Sequence, residues 1–284
     1  MRVVPKIDWL TATRPYNYGY DTAPTNKDTA IRIAYAMYRK SNALSVDGFQ
    51  ILERKEPFYQ YHFTNRIGQQ ISLSENQLQG VRLILAGHTI PVGQADQRRQ
   101  YEALRNEQWR PSRIDVAVDF IDSDQSIETL WTEHIQAQAL KRRNKAQLIL
   151  SGNGDTINIG SRKSDKYMRI YDKGMEQKTD MDWKRIELEI KYKTAHAVPV
   201  IYNNLIRRSV ATMNDMIESL PEALRDALTA LADGWEGYTR PAPKTKSSKE
   251  LWLMEQILPA LESVAREDPG LYERFVKSLP PVVK

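Results

Sequence analysis

The feature that most constrains this chain is a set of three segments in which apolar and ionisable residues alternate. In Arg113 to Phe120, Ile114, Val116, Val118 and Phe120 fall on one side, and Arg113, Asp115, Ala117 and Asp119 fall on the other. Lys184 to Lys193 sets Ile186, Leu188, Ile190 and Tyr192 against Arg185, Glu187 and Glu189. Tyr167 to Lys173 alternates likewise, with Arg169, Tyr171 and Lys173 on its ionisable side. A period of two belongs to a β-strand, whose successive side chains point to opposite faces. The three segments therefore predict a sheet with a core side and a chemical side. The chemical side collects Asp115, Asp119, Arg169, Tyr171, Lys173, Arg185, Glu187 and Glu189.

The rest of the chain reads as strands and helices around that sheet. Residues 7–12 alternate like a half-buried strand, and Asn26 to Arg39 places Ile31, Ala34, Tyr35 and Tyr38 at helical spacing. Gly48 to Leu85 breaks into short apolar runs separated by turn residues, the pattern of antiparallel hairpins. A polar stretch from Gln94 to Trp109 reads as helical, and Asp122 to Lys141 as an amphipathic helix with Ile127, Leu130, Trp131 and Ile135 inward. Gly152-Asn153-Gly154-Asp155 supplies the turn of a hairpin between residues 148–150 and 156–160. From Ala195 the pattern is helical as far as Gly234. The fold class expected is α+β, an antiparallel sheet with helices on one face, followed by a helical C-terminal region.

Composition removes several kinds of chemistry. The chain has 284 residues and no cysteine, so disulfides, thiolate metal sites and cysteine nucleophiles are excluded. Its apolar runs are far shorter than the ~20 residues of a membrane span, and charges at Arg2, Lys6 and Asp8 interrupt any leader-like N-terminus. A cytoplasmic protein with no membrane partner is expected. The net charge of +5 permits a polyanionic partner if the cations cluster.

An antiparallel sheet commonly leaves one face in water, where opposite charges pair across strands, and alternation alone allows that reading here. The particular mixture allows another. Four carboxylates, Asp115, Asp119, Glu187 and Glu189, are hard oxygen donors suited to a divalent cation. Beside them stands a tyrosine flanked at i±2 by Arg169 and Lys173. A phenol ionises near pH 10, so as a nucleophile at neutral pH it needs cations or a metal to stabilise the developing charge.

In blocks and order, the sequence resembles the replication initiation factors of rolling-circle plasmids and filamentous phages, the Rep-trans type. The blocks are Asp8-Trp9-Leu10-Thr11, Arg113 to Asp119, Thr156 to Ser164, Arg169 to Lys173, and Arg185 to Glu189, within about residues 5–200. The resemblance implies that Tyr171 nicks one DNA strand, with Arg169 and Lys173 beside it. It implies Mg2+ or Mn2+ held by Asp115, Asp119, Glu187 and Glu189. Tyr167, four residues earlier on the same strand face, is the spare nucleophile. His62, His88, His134 and His196 are isolated in sequence, which excludes a His-hydrophobic-His metal motif. Arg162, Lys163, Lys166 and Arg185 are the expected DNA contacts.

The function expected is a rolling-circle replication initiator that nicks and joins DNA through a 5'-phosphotyrosyl link. The reaction exchanges one phosphodiester for another, and the chain carries no Gly-x-x-x-x-Gly-Lys nucleotide loop. A relaxase of a conjugative or integrative element would use the same residues. A hydrolytic nuclease or a non-catalytic DNA-binding protein would not need the tyrosine as nucleophile. The expected partners are a single-stranded or hairpin origin, host replication proteins and a second copy of the chain. The expected organisation is a nicking domain over 1–200, a helical extension over 201–236, a linker over 237–248 and a helical segment over 249–284.

Overall fold

The structure is a computed structural model, and its described residues are 1–16, 22–123, 125–136, 146–152, 154–193, 197–217 and 220–232. The chain divides into a unit Met1–Tyr238, which contains all of these, and a unit Thr239–Lys284. The expected linker over 237–248 and helical segment over 249–284 therefore lie outside the described residues, as do His196 and Asn153.

In chain order the elements are β1 (Arg2–Arg14), α1 (Lys27–Lys40), β2 (Gln50–Leu52), β3 (Tyr61–Thr64), β4 (Gln70–Leu73) and β5 (Val81–Ala86). Then come α2 (Gln94–Asn106), β6 (Arg110–Ile121) and α3 (Ile127–Thr129), which continues as a π-helical turn over Leu130–Ile135. The chain goes on through β7 (Ala146–Ile149), β8 (Thr156–Gly160), β9 (Lys166–Asp172), α4 (Lys173–Glu176), β10 (Trp183–Lys191), α5 (Tyr202–Met216) and α6 (Glu222–Ala232). All ten strands join one antiparallel sheet in the order β2-β3-β4-β5-β1-β6-β10-β9-β8-β7. The most strictly alternating segment, β6, lies at the centre.

The apolar side of each alternating strand makes the core. Leu10 of β1, Leu85 of β5, Ile114, Val116 and Val118 of β6, Leu188 of β10 and Ile170 of β9 are buried together. Helices cover this face: α1 packs on β3 and β4, α2 on β1, and α5 on β1, β6 and β10. Leu205, Val210 and Met213 of α5 and Leu224 and Leu228 of α6 enter the same core, so residues 202–232 pack as part of the sheet domain. α1 begins where the sequence predicts, because the Asn26 side chain accepts a 2.9 Å bond from Thr29 N. Such a cap stabilises a helix start by about 1 kcal/mol.

β1 departs from simple alternation in a way that matters for the opposite face. Its buried residues Ile7 and Leu10 stand three apart. Pairing with β6 slips between them, with Ile7 opposite Val116 and Trp9 opposite Asp115, which leaves Asp8 as the extra residue of a β-bulge. A bulge re-aims a side chain where a regular strand could not.

Candidate active site

The face of β6, β10 and β9 opposite the core helices carries the predicted ionisable residues in three cross-strand rows. Asp119 stands opposite Arg185 and Arg185 opposite Tyr171. One step along, Ala117 faces Glu187 and Glu187 faces Arg169. In the third row Asp115 faces Glu189 and Glu189 faces Tyr167. Strict alternation on neighbouring antiparallel strands leaves no other arrangement once the register is set.

Tyr171 is buried, and its hydroxyl donates to Glu187 Oε2 at 2.9 Å. Burial, and then the Glu187 charge, hold this phenol well above its ordinary range, while Arg185 pulls the other way. Two further cations approach the ring: the Arg169 guanidinium lies 5.8 Å and the Lys173 ammonium 5.7 Å from its centroid. Arg169 also bonds Glu187, and Lys173 pairs with Glu176 of α4. Tyr167 occupies different surroundings. Its hydroxyl donates to Asn158 Oδ1 at 2.5 Å, and its ring lies 5.6 Å from the Arg162 guanidinium. Of the two tyrosines, Tyr171 has a carboxylate within reach of its proton.

Arg185, expected to touch DNA, is placed elsewhere by the structure: only 1% of it is exposed, and its guanidinium binds both oxygens of Asp119, at 2.6 and 2.9 Å. A third bond, Nη1 to Asp8 Oδ1 at 2.9 Å, crosses from β10 over β6 to the bulge of β1. Buried and held by two carboxylates, this guanidinium presents no exposed face to a phosphate. Lys6 joins the group, 3.6 Å from Asp8 and 3.7 Å from Asp119.

The four carboxylates expected to hold a divalent ion are distributed among separate ion pairs. Asp115 takes a two-pronged bond from Arg113 at 2.9 and 2.6 Å, and Glu189 contacts Arg113 at 3.0 Å and Lys191 at 3.0 Å. Asp119 is held by Arg185, and Glu187 by Arg169 and Tyr171. Among the described residues, no three acidic or histidine side chains converge on one point. As arranged, these residues do not form a ligand set. Asp115 nonetheless feels its acidic neighbours: burial first, with Glu187 and Glu189 adding to it, pushes its carboxyl up to about 6 despite Arg113.

The expected basic contacts divide between the two faces. Arg162 and Lys163 are exposed on the loop between β8 and β9. Lys166 lies on the other side of β9 from Tyr171, since its parity is that of Met168 and Ile170. There it faces Arg208 and Asp215 of α5, and burial lowers its ammonium to about 8. It cannot serve a DNA strand at Tyr171.

Asp8 and Lys6 are the members of this site that alternation in the sequence does not select. The signal is present in the broken spacing of Ile7 and Leu10, which marks a bulge, but the partner of Asp8 is 177 residues away in the chain.

A family model described as replication initiation factor matches residues 110–279, more than half of the chain. The match contains β6, β9 and β10 with Tyr171. It starts after the Asp8 to Thr11 block and runs well past residue 200, where the resemblance between sequence blocks ends. Among solved structures, the chain resembles a rolling circle replication initiator protein from Geobacillus stearothermophilus, with a TM-score of 0.56 and 18% identity over 81% of this chain and 97% of that one. At that identity the likeness is one of fold. No curated protein matches the sequence.

Proposed function

Because the chain belongs to the replication initiation factor family, we propose that it cuts and rejoins one strand of a rolling-circle origin with Tyr171 as the nucleophile. The observation that carries this reading is the 2.9 Å hydrogen bond from the Tyr171 hydroxyl to Glu187. A phenol whose ionisation is suppressed by burial attacks only if its proton leaves as the new bond forms. Glu187 is within the reach required of a general base. In the proposed step the Tyr171 oxygen bonds to phosphorus while its proton passes to Glu187 Oε2. The bond from phosphorus to the 3'-oxygen breaks, and that oxygen keeps the electron pair and takes a proton from solvent. The products are a 5'-phosphotyrosyl link and a free 3'-hydroxyl.

Arg169 and Lys173 stand beside the Tyr171 ring, and their proposed task is to offset the charge that gathers on the phosphate oxygens. Preorganised cations of this kind contribute much of the acceleration in phosphoryl transfer. Arg185 acts at one remove: fixed by Asp119 and Asp8, it is a positive charge beside Tyr171 that cannot swing away. Mg2+ or Mn2+ remains part of the proposal as a competitor of these cations. Asp115 and Glu187 could hold such an ion only if they gave up Arg113 and Arg169. A bound ion would supply further neutralisation of phosphate charge.

The deciding experiment incubates the protein with a single-stranded origin oligonucleotide and maps the covalent adduct by peptide mass. An adduct on the peptide containing Tyr171, lost in Tyr171→Phe and kept in Tyr167→Phe, is the expected result. An adduct that follows Tyr167 instead would move the nucleophile by four residues. Cleavage with no adduct would make the protein a hydrolytic nuclease.

A further inference from the structure

This face does not end at β6. Register carries it on through β1 and β5 to β4 and β3: Trp9 and Thr11 stand opposite Asp115 and Arg113, Thr13 opposite Arg82, Arg82 opposite Ser72, and Ser72 opposite His62. Two cation-aromatic pairs lie on this continuation. The Arg113 guanidinium lies 5.3 Å from the Trp9 ring centroid, and the Arg82 guanidinium 4.3 Å from that of Tyr59. The loop between β2 and β3 is tied down over the second pair, because Glu56 accepts from Arg82 at 2.5 Å and from Arg54 at 2.8 Å. Between Glu56 and Tyr59 in that loop is Phe58, 64% exposed, with exposed Arg54 and Lys55 before it.

We infer that this face is a track for single-stranded DNA, running from Tyr171 past Trp9 and Arg113 to a terminal stacking station at the exposed Phe58, beside Arg82 on the buried ring of Tyr59. The inference rests on the nicking proposal and extends it to a partner surface that the chemistry itself does not need. Isolated exposed apolar residues are common on proteins and ask for no explanation. An exposed phenylalanine three residues after an exposed lysine, next to a buried tyrosine that carries a guanidinium on its ring, is a different arrangement. Aromatic faces take up unpaired bases whatever their sequence, and interleaved cations follow the phosphates. A duplex has its bases already stacked and cannot use such a platform, so the occupant assigned is an unpaired strand. Arg82 is four strands from Tyr171, at least about 19 Å across the sheet at ~4.8 Å per strand. A short oligonucleotide spanning only the nick cannot reach the station, and a longer one can.

The test uses full-length Tyr171→Phe protein, which binds without reacting, and measures affinity by fluorescence anisotropy. The probes are oligonucleotides with a fixed nick site and single-stranded extensions of increasing length on either side. Affinity is expected to rise with extension on one side and then level off. In the Phe58→Ala background the gain should fall by roughly fivefold or more, the value of one lost base-aromatic stack, with binding of the unextended probe unchanged. Trp9→Ala should lower the gain from shorter extensions as well. Phe58 is exposed, so its removal leaves the core intact, and Phe58→Ala with an otherwise native Tyr171 should nick the unextended probe as the parent does. An unchanged gain in both variants would overturn the track and leave the nicking proposal standing. An equal gain from duplex extension would overturn the choice of an unpaired strand. If no single strand binds at all, the nicking proposal fails and the track fails with it.

Discussion

At the scale of single residues, the site is governed by what burial does to groups that would ordinarily be ionised or free. Tyr171, protonated at neutral pH in any case, is made still harder to ionise by burial beside Glu187, so the proposed chemistry hangs on that carboxylate taking the proton. Glu187→Gln preserves shape and a hydrogen bond but cannot accept the proton. Single-turnover nicking should fall by roughly 10²- to 10⁴-fold, the usual contribution of a general base, with single-strand binding retained. Asp115 gives a second reading of burial. Its carboxyl is raised from 3.8 to about 6, so between those values the folded chain binds a proton that the unfolded chain has released. Its contribution to stability is thus present at low pH and is lost as pH rises from about 4 to about 6. In chelator-treated protein, urea unfolding of Asp115→Asn across that range should lack a decline worth up to ~3 kcal/mol in the parent, at 1.36 kcal/mol per pH unit. Parallel pH profiles for the two proteins would contradict the assignment.

At the scale of elements, the bulge in β1 and the pairing of β6 with β10 act together. The bulge turns Asp8 onto the face opposite the core helices, and Arg185 then ties β10 to β6 through Asp119 and to β1 through Asp8. Arg185→Ala would leave Asp119 buried without its main partner, and breaking a buried pair from one side costs about 3–5 kcal/mol. Asp8→Asn keeps the Arg185–Asp119 pair and should cost only about 1 kcal/mol. Denaturant midpoints of the two variants check the ordering, and equal losses would contradict a tether centred on Asp119. The same elements govern any metal. If an ion competes with Arg113 for Asp115, calorimetric titration with Mn2+ should show weakened binding in Asp115→Asn and stronger binding in Arg113→Gln. Titrations identical to the parent in both variants would remove Asp115 from the metal proposal.

At the scale of the whole molecule, one continuous sheet holds the candidate chemistry on one face and α1, α2 and α5 on the other. α5 and α6 share the sheet's core, so the residues after 200 cannot be separated from it at the predicted boundary. The next candidate break is the one between Tyr238 and Thr239, inside the predicted linker over 237–248. A chain ending at Gly237 should nick a short single-stranded oligonucleotide at a rate near that of the parent. It should lose self-association or binding to the duplex origin, as judged by light scattering and by binding to an origin duplex. A truncated chain that is insoluble or inactive on the oligonucleotide would place residues 238–284 in the catalytic core instead.

The sequence by itself determined which residues share a face. Strand alternation is local and rigid, so Asp115, Asp119, Arg169, Tyr171, Arg185, Glu187 and Glu189 fall on one side of a sheet whichever strands become neighbours, and helical spacing from Asn26 onward marks α1. Only the tertiary structure decided what each of them faces. Register between strands far apart in the chain set Arg185 between Asp119 and Tyr171 and withdrew it from solvent. A one-residue slip in β1 recruited Asp8. β9 begins at Lys166 rather than at Tyr167, so this predicted DNA contact is held in the strand, on the helix side, instead of in the loop. Partnership across a sheet depends on which strands pair, and that is fixed by the packing of the whole core rather than by any segment of the chain.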